Sequence, residues 1–199
     1  MRWAKLISSL LHPIVMPTIG VFLFLVISEL RLSRNQQLAL LGLIFITTYI
    51  IPIVLLAVLK RCKLIASFNV HTIQERKIPV LVMIAIFFFL GKNLINTMLV
   101  KDLGYLFIGT AVALILLYLL FYANFKTSLH ILSLGSSVGY FIVYQHLHAI
   151  NILPLIVILV LLSGLLGTAR LTLNAHTPRE VYLGFSIGVF AQLLTFIVL

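Results

Sequence analysis

The chain has 199 residues, of which 62% are hydrophobic and only 9% are charged, and its mean hydropathy of +1.22 excludes an ordinary soluble globular domain. Its formal net charge of +10 is spread over short polar intervals, which argues against a nucleic-acid-binding surface. In a membrane protein such an excess serves orientation and contact with anionic headgroups. We therefore expect an integral membrane protein of the bacterial cytoplasmic membrane, with membrane lipids and no nucleic acid among its partners; the oligomeric state stays open.

Apolar segments of roughly 20 residues, the length of a membrane-spanning helix, follow one another along the chain. We predict seven of them, at residues 10–30, 39–59, 78–98, 103–123, 128–146, 150–169 and 180–199. None shows the alternating pattern of an outer-membrane strand. The sequence thus predicts an all-α fold, a polytopic transmembrane helical bundle with six or seven membrane segments, and a single domain over residues 1–199. Cys62 is the only cysteine, which excludes an intrachain disulfide and a cysteine-built zinc site.

Small residues and prolines within these segments predict how the helices pack. Glycines spaced four residues apart let two helix backbones approach closely in lipid, and two such pairs occur, Gly135 with Gly139 and Gly184 with Gly188. Four prolines are interpreted as kinks or helix starts: Pro13, Pro17, Pro52 and Pro154.

Counting the segments places the N-terminus and residues 60–77, 124–127 and 170–179 on one side of the membrane, which we call the first face. Most of the basic residues lie there, and the positive-inside rule would make this face cytoplasmic. That inference loses its weight if several of these cations bind an anion instead. The side of the membrane is therefore left open.

The stretch NFKTSLH, residues 124–130, has the composition of an anion-binding helix start. Thr127 or Ser128 can cap the helix, whose first amide N–H groups then lie near Lys126. His130 follows Lys126 by four residues and shares its helix face if the helix reaches back that far. A histidine snorkelling at the interface is the alternative, and it would be preferred for an isolated case.

A second helix start, in ARLTLNAHTPRE (residues 169–180), repeats the arrangement. Thr177 is a candidate N-cap, Pro178 fits the first helical position, and Glu180 stands at the capping-box spacing. His176 directly precedes the cap, so the Glu180 carboxylate could also reach the imidazole and fix its tautomer. Arg170 could hold an oxyanion through its fork of donors.

Together these residues resemble the motifs of the type 2 phosphatidate phosphatase superfamily. Arg170, His176 and Glu180 have the spacing of its third motif, SRxxxxxHxxxD, with Glu for the final Asp and Ala169 for the Ser. The stretch 127–130 is similar to its PSGH motif, with Ser and His at the matching places. The counterpart of its first motif, KxxxxxxRP, is the less complete stretch 76–79, Arg-Lys-Ile-Pro. The resemblance covers roughly the last 75 residues, and each motif alone has low specificity.

The resemblance implies hydrolysis of a lipid phosphomonoester or diphosphate, such as a phosphatidate, a polyprenyl phosphate or diphosphate, or a phosphorylated glycolipid, without a metal or cofactor. His176 would be the nucleophile that forms a phosphohistidine, Glu180 would orient it, and His130 would be the general acid and base. The residues expected to bind the phosphate oxygens are Arg170, Lys126, Ser128, Arg76 and Lys77. The family presents its site to the outside, opposite to the charge bias.

Two alternatives remain open at this point. A non-catalytic phospholipid-binding or lipid-phosphate transport protein would keep the anion site without turnover. A membrane scaffold would use the first-face charges for topology only.

Four other histidines receive separate interpretations. His146 and His148 lie on the opposite face without an evident acid or third ligand, so we interpret them as interfacial and not metal-binding. For His12 a structural role is preferred, and for His71 the sequence does not decide between a phosphate-binding and a structural role.

Overall fold

The computed structural model describes residues 1–28, 32–68, 70 and 72–198, and this part of the chain contains helices and no strand. The elements in chain order are α1 (Arg2–Leu10), α2 (Met16–Ile27), α3 (Arg34–Phe45), a π-helical turn (Ile46–Ile50), α4 (Ile51–Arg61), α5 (Ile73–Ile95), a 3₁₀ turn (Met98–Val100), α6 (Lys101–Tyr122), α7 (Leu129–His148), α8 (Leu153–Thr172) and α9 (Pro178–Val198). The predicted all-α fold is confirmed.

Five helices in the described part of the chain are long and apolar enough to cross a membrane. They are Arg34–Arg61, Ile73–Ile95, Met98–Tyr122, Leu153–Thr172 and Pro178–Val198. Helix α7 has 20 residues but is not one of these five, because it carries serine, glutamine and histidine side chains. Most of α7 is buried among its neighbours, so it meets protein where the other helices meet lipid. A helical membrane bundle is thus confirmed, whereas the six or seven segments remain a prediction.

The first predicted segment, residues 10–30, is not one continuous helix. Helix α1 ends at Leu10, and a turn follows in which the His12 carbonyl oxygen accepts hydrogen bonds from the amides of Val15 and Met16. Proline interrupts a helix because it lacks the amide N–H, and Pro13 stands in this turn. Helix α2 has only 12 residues, about 18 Å at 1.5 Å per residue, which is shorter than the hydrocarbon core. The prediction of a full-length first segment is therefore wrong.

The other prolines behave as predicted. Pro17 and Pro154 stand in the first turns of α2 and α8, where a missing N–H costs no helical hydrogen bond. Pro52 is the second residue of α4, which begins directly after the π-helical turn. Because Pro52 cannot donate to the carbonyl four residues earlier, the helix widens at this turn and continues as one 28-residue span.

Helices α7 and α9 approach closely through their glycines. A Cβ atom added at Gly139 would lie 2.8 Å from the Val189 carbonyl oxygen, and one added at Gly184 would lie 2.9 Å from that of Ser128. These distances leave no room for a larger residue, so the predicted glycine contacts are confirmed. The amide of Ser128 also donates to the Glu180 carbonyl oxygen at 3.3 Å. The starts of α7 and α9 are thereby fixed side by side.

Candidate active site

Four separate stretches of the chain meet at the first face: α1, the start of α5, the start of α7 and the junction between α8 and α9. Helix α1 contacts the end of α8 through Ser8 and Arg170. The start of α5 contacts the loop before α7 through Arg76 and Thr127. The predicted grouping of these stretches on one face is therefore observed.

His176 and Glu180 form the shortest polar contact at this face. Thr177 caps α9 by accepting a hydrogen bond from the Glu180 amide at 3.4 Å, and Pro178 is the first helical residue, as predicted. The Glu180 side chain does not complete the capping box, since its carboxylate oxygen lies 2.5 Å from His176 Nδ1. With Nδ1 held by the carboxylate, Nε2 is the nitrogen left for chemistry. The His176 side chain is only 2% exposed, so water competes little for this bond.

Arg170, in the last turn of α8, bonds to the N-terminal helix and is connected to His130 through Ser8. Its Nη1 atom donates to Ser8 Oγ at 2.8 Å, and Ser8 Oγ lies 3.4 Å from His130 Nε2. The buried Nε atom of Arg170 has no hydrogen-bond partner within the described residues. A buried guanidinium N–H without a partner is costly, and an anion would satisfy it.

Arg76 supplies the second guanidinium of the site and is more deeply buried than Arg170, with only 8% of its surface exposed. Its Nε atom donates to the Val70 carbonyl at 2.9 Å, and its Nη1 atom donates to the Thr127 carbonyl at 3.3 Å. A complete capping box between Thr72 and Glu75 starts α5 and sets the position of Arg76 on its first turn. The stretch 76–79 thus contributes Arg76 to the candidate site.

The remaining predicted phosphate-binding residues lie in different places. Lys126 lines the cavity described below. Lys77 does not line it, and its Nζ atom lies 5.7 Å from the Tyr122 ring centroid. Ser128 is fully buried and stands at the N-cap of α7, but it makes no side-chain capping bond. Its hydroxyl and that of Thr127 have no partner among the described residues, so the predicted cap is wrong.

A positive electrostatic field pervades the first face. Burial, followed by the charges of Arg170 and Arg76, lowers the pKa of His176 to about 4, against the opposing effect of Glu180. Burial and then Arg76 lower the pKa of Lys126. Burial and then Arg170 lower the pKa of His12. Each group is pushed toward its uncharged form, first by burial and then by the neighbouring cations.

A cavity of about 690 Å³ opens onto these groups and extends into the bundle. The polar part of its lining consists of Lys5, Ser8, Ser9, His12, Arg76, Lys126, His130, Arg170, Asn174 and His176. The apolar part comes from deeper turns of α4, α5 and α6 and includes Pro52, Leu55, Leu56, Met83, Phe87 and Leu114. A cationic region continuous with an apolar one fits an amphiphile with an anionic headgroup.

Two residues of this site were not assigned to it from the sequence. His12 lines the cavity, and its ring packs edge-on against His130 with centroids 4.9 Å apart. The preferred structural role of His12 stays a prediction. Ser8 belongs to no motif of the sequence. In the structure, Ala4 and Ser8 are both buried, and they lie on the side of α1 that faces the rest of the protein. His71 lies outside the described residues.

On the opposite face, His148 Nε2 lies 3.0 Å from an Asp102 carboxylate oxygen. The expectation that no acid lies near His146 and His148 is therefore wrong for His148. The His148–Asp102 pair lies at the opposite end of α7 from the first face, because His130 is near the start of that helix and His148 is its last residue.

The candidate site therefore combines a carboxylate-bound histidine, two further histidines, two arginines and two lysines at the polar end of an amphiphilic cavity. Such a set can bind a phosphate group, supply a nitrogen nucleophile and transfer a proton without a metal. Comparison of the chain with protein-family models, with curated proteins and with solved structures finds no match.

Proposed function

We propose that this protein is a membrane-embedded phosphatase that hydrolyses a lipid phosphomonoester or diphosphate through a phosphohistidine on His176. The observation that carries the proposal is the His176–Glu180 pair beside the buried Arg76 and the half-buried Arg170, at the polar end of a cavity whose other end is apolar. A soluble phosphate ester would need the cations but not the apolar extension, so the cavity favours a lipid.

In the first half-reaction, the lone pair of His176 Nε2 attacks phosphorus and the bond from phosphorus to the lipid oxygen breaks. His130 donates a proton to that oxygen, and the lipid alcohol or lipid monophosphate leaves. Arg170, Arg76 and Lys126 bind the non-bridging oxygens, whose negative charge needs fixed donors as the bond breaks. Glu180 stabilises the positive charge that develops on the imidazole of His176.

In the second half-reaction, His130 removes a proton from water while the water oxygen attacks the phosphoryl group. The phosphorus–nitrogen bond breaks, inorganic phosphate leaves, and His176 Nε2 regains its lone pair. His130 is then protonated and ready for the next substrate. No metal takes part in this scheme, because the cations that neutralise the phosphoryl group are side chains.

For the membrane arrangement, we propose that α7 crosses together with the five candidate spans and that α2 is a short seventh element, in a bacterial cytoplasmic membrane. Arg179 is exposed on the first face and offers a test of which side this face occupies. A single cysteine at residue 179, in a chain whose Cys62 is replaced by serine, should react with a membrane-impermeant maleimide only from that side.

The enzymatic proposal is tested with purified protein in detergent, a panel of lipid phosphates and EDTA in the buffer. Phosphate release is expected for the wild type and for His146→Ala, whose histidine lies at the opposite end of α7, and it should be lost in His176→Ala. Release that persists in His176→Ala would contradict the mechanism. Saturable binding of a lipid phosphate with no release from any member of the panel would indicate a non-catalytic lipid-phosphate-binding protein instead.

A further inference from the structure

The N-terminal helix α1 presents two different sides. Leu6 and Leu10 are each 61% exposed, whereas Ala4 and Ser8 are buried against α8. A short helix with one apolar exposed side and basic residues near its start is suited to lie in the membrane interface. Its buried side carries one hydroxyl group, that of Ser8, into the candidate site.

Ser8 stands between the anion-binding arginine and the proposed acid and base. Arg170 Nη1 lies 2.8 Å from Ser8 Oγ. A guanidinium group has donors and no acceptor, so the Ser8 oxygen must accept this hydrogen bond. Its own hydroxyl hydrogen is then available for His130 Nε2, which lies 3.4 Å away.

This arrangement links the Ser8 hydroxyl to the proton distribution on His130. If the Ser8 hydroxyl donates to Nε2, that nitrogen carries a lone pair, and the proton of the neutral imidazole stands on Nδ1. If His130 becomes protonated, its Nε2–H can donate to the second lone pair of the same Ser8 oxygen. A hydroxyl group therefore serves both protonation states of His130, which neither alanine nor a pure donor such as lysine could do.

We propose that Ser8 is a positioning residue of the active site: its hydroxyl donates to Nε2 of neutral His130, which holds the ring and keeps the proton on Nδ1, while its oxygen fixes the Arg170 fork. This inference rests on the proposed function in so far as it assigns a catalytic consequence to Ser8. The N-terminal helix is accordingly part of the site and not only a membrane anchor.

Kinetics of Ser8→Ala give the first test. Loss of the hydroxyl should lower kcat by about tenfold to hundredfold, which is the range for a misplaced general acid and base or for a lost hydrogen bond to a charged group. The KM should change by less than about threefold. Ser8→Thr, which retains the hydroxyl, should recover most of the activity. Ser163→Ala is the matched control, because Ser163 is equally buried in α8 but bonds only its own helix, at Leu159. Wild-type kinetics in Ser8→Ala would overturn the proposal.

A second measurement does not depend on turnover. Long-range proton–nitrogen NMR of histidine-labelled protein in micelles, with the His130 signal identified by its absence in His130→Gln, reports which ring nitrogen carries the proton at pH 8. The expected result is a bare Nε2 in the wild type and in Ser163→Ala, and a mixture of tautomers in Ser8→Ala.

The two measurements separate the possible failures. A proton on Nε2 of neutral His130 in the wild type would overturn the role of Ser8 even if the enzyme is active. This measurement uses the wild type, so it can be made even if Ser8→Ala does not fold. A protein with the expected tautomer but no activity toward any lipid phosphate would refute the proposed function and leave the positioning of His130 by Ser8 intact.

Discussion

Replacement of Glu180 by glutamine should slow phosphate release and leave helix α9 in place. The carboxylate lies 2.5 Å from His176 Nδ1, and the two side chains are 17% and 2% exposed, so water cannot fully replace the lost partner. A hydrogen bond to a charged group contributes about 1.5–3 kcal/mol, and each 1.4 kcal/mol corresponds to about a factor of ten in rate. We therefore expect kcat to fall by about tenfold to hundredfold.

The same substitution has a second, independent effect on the pH profile. Glu180 opposes the fall in the His176 pKa through its hydrogen bond and its negative charge, so its loss should lower that pKa further. The acidic limb of kcat/KM, which reports the free enzyme, should therefore move to lower pH in Glu180→Gln. A simple loss of folded protein would reduce activity equally at every pH and would not move the limb.

The assay is phosphate release from a micellar lipid phosphate in EDTA between pH 4 and 8, with thermal unfolding followed by circular dichroism. Arg179→Gln is the matched control, because Arg179 is an exposed neighbour of Glu180 in the first turn of α9. Glu180→Asp retains the charge with a shorter reach and should fall between the wild type and Glu180→Gln. A folded Glu180→Gln variant with wild-type kcat and an unchanged acidic limb would refute the assignment of Glu180 as the partner of a nucleophile.

Three further predictions concern the wild-type pH profile, the cations and the glycine contacts. Because His176 must be neutral to attack and its pKa is lowered to about 4, activity should be lost only as the pH falls toward that value; an acidic limb at the ordinary histidine pKa of about 6.5 would contradict this. Lys126→Ala should raise KM about tenfold, since one charge-assisted contact with phosphate is lost, whereas Lys77→Ala should leave it unchanged because Lys77 lies outside the cavity. Equal effects of the two lysine variants would argue against the observed cavity. Gly184→Ala should destabilise the protein by about 1–3 kcal/mol through overpacking, and Gly164→Ala should not, because a Cβ there meets nothing within 4 Å; equal melting temperatures of these variants would contradict the packing.

The sequence predicts those parts of the site in which the spacing of residues at the start of one helix determines how their side chains lie relative to one another. Thr177, Pro178 and Glu180 define the first turn of α9, so the side chain of His176 just before it is brought within reach of the carboxylate. The glycine pairs predicted the contact between α7 and α9 for the same reason, since a four-residue repeat lies on one helix face.

The parts that could not be predicted depend on where helices pack and not on local spacing. Successive residues of a helix project about 100° apart, as 3.6 residues per turn require, so sequence spacing alone does not tell whether Arg76, Lys77 or both face the cavity. Only the packing of α5 decides which one does. Ser8 and His12 enter the site because α1 docks on α8, more than 150 residues away in the chain, as the Ser8–Arg170 separation of 162 shows. Pro13, in the first apolar segment, predicted either a kink or a helix start, and the structure has a full break there.

A trapped phosphohistidine on His176 would test the central proposal most directly. The protein is mixed briefly with a lipid phosphate, quenched in alkali, in which a phosphorus–nitrogen bond survives, and analysed by peptide mass spectrometry. We expect a phosphoryl group on the peptide that contains His176, absent from His176→Ala and increased in His130→Gln with a substrate whose leaving group needs no proton. A protein that releases phosphate without ever carrying a phosphoryl group on His176, or that carries it on another residue, would contradict this mechanism.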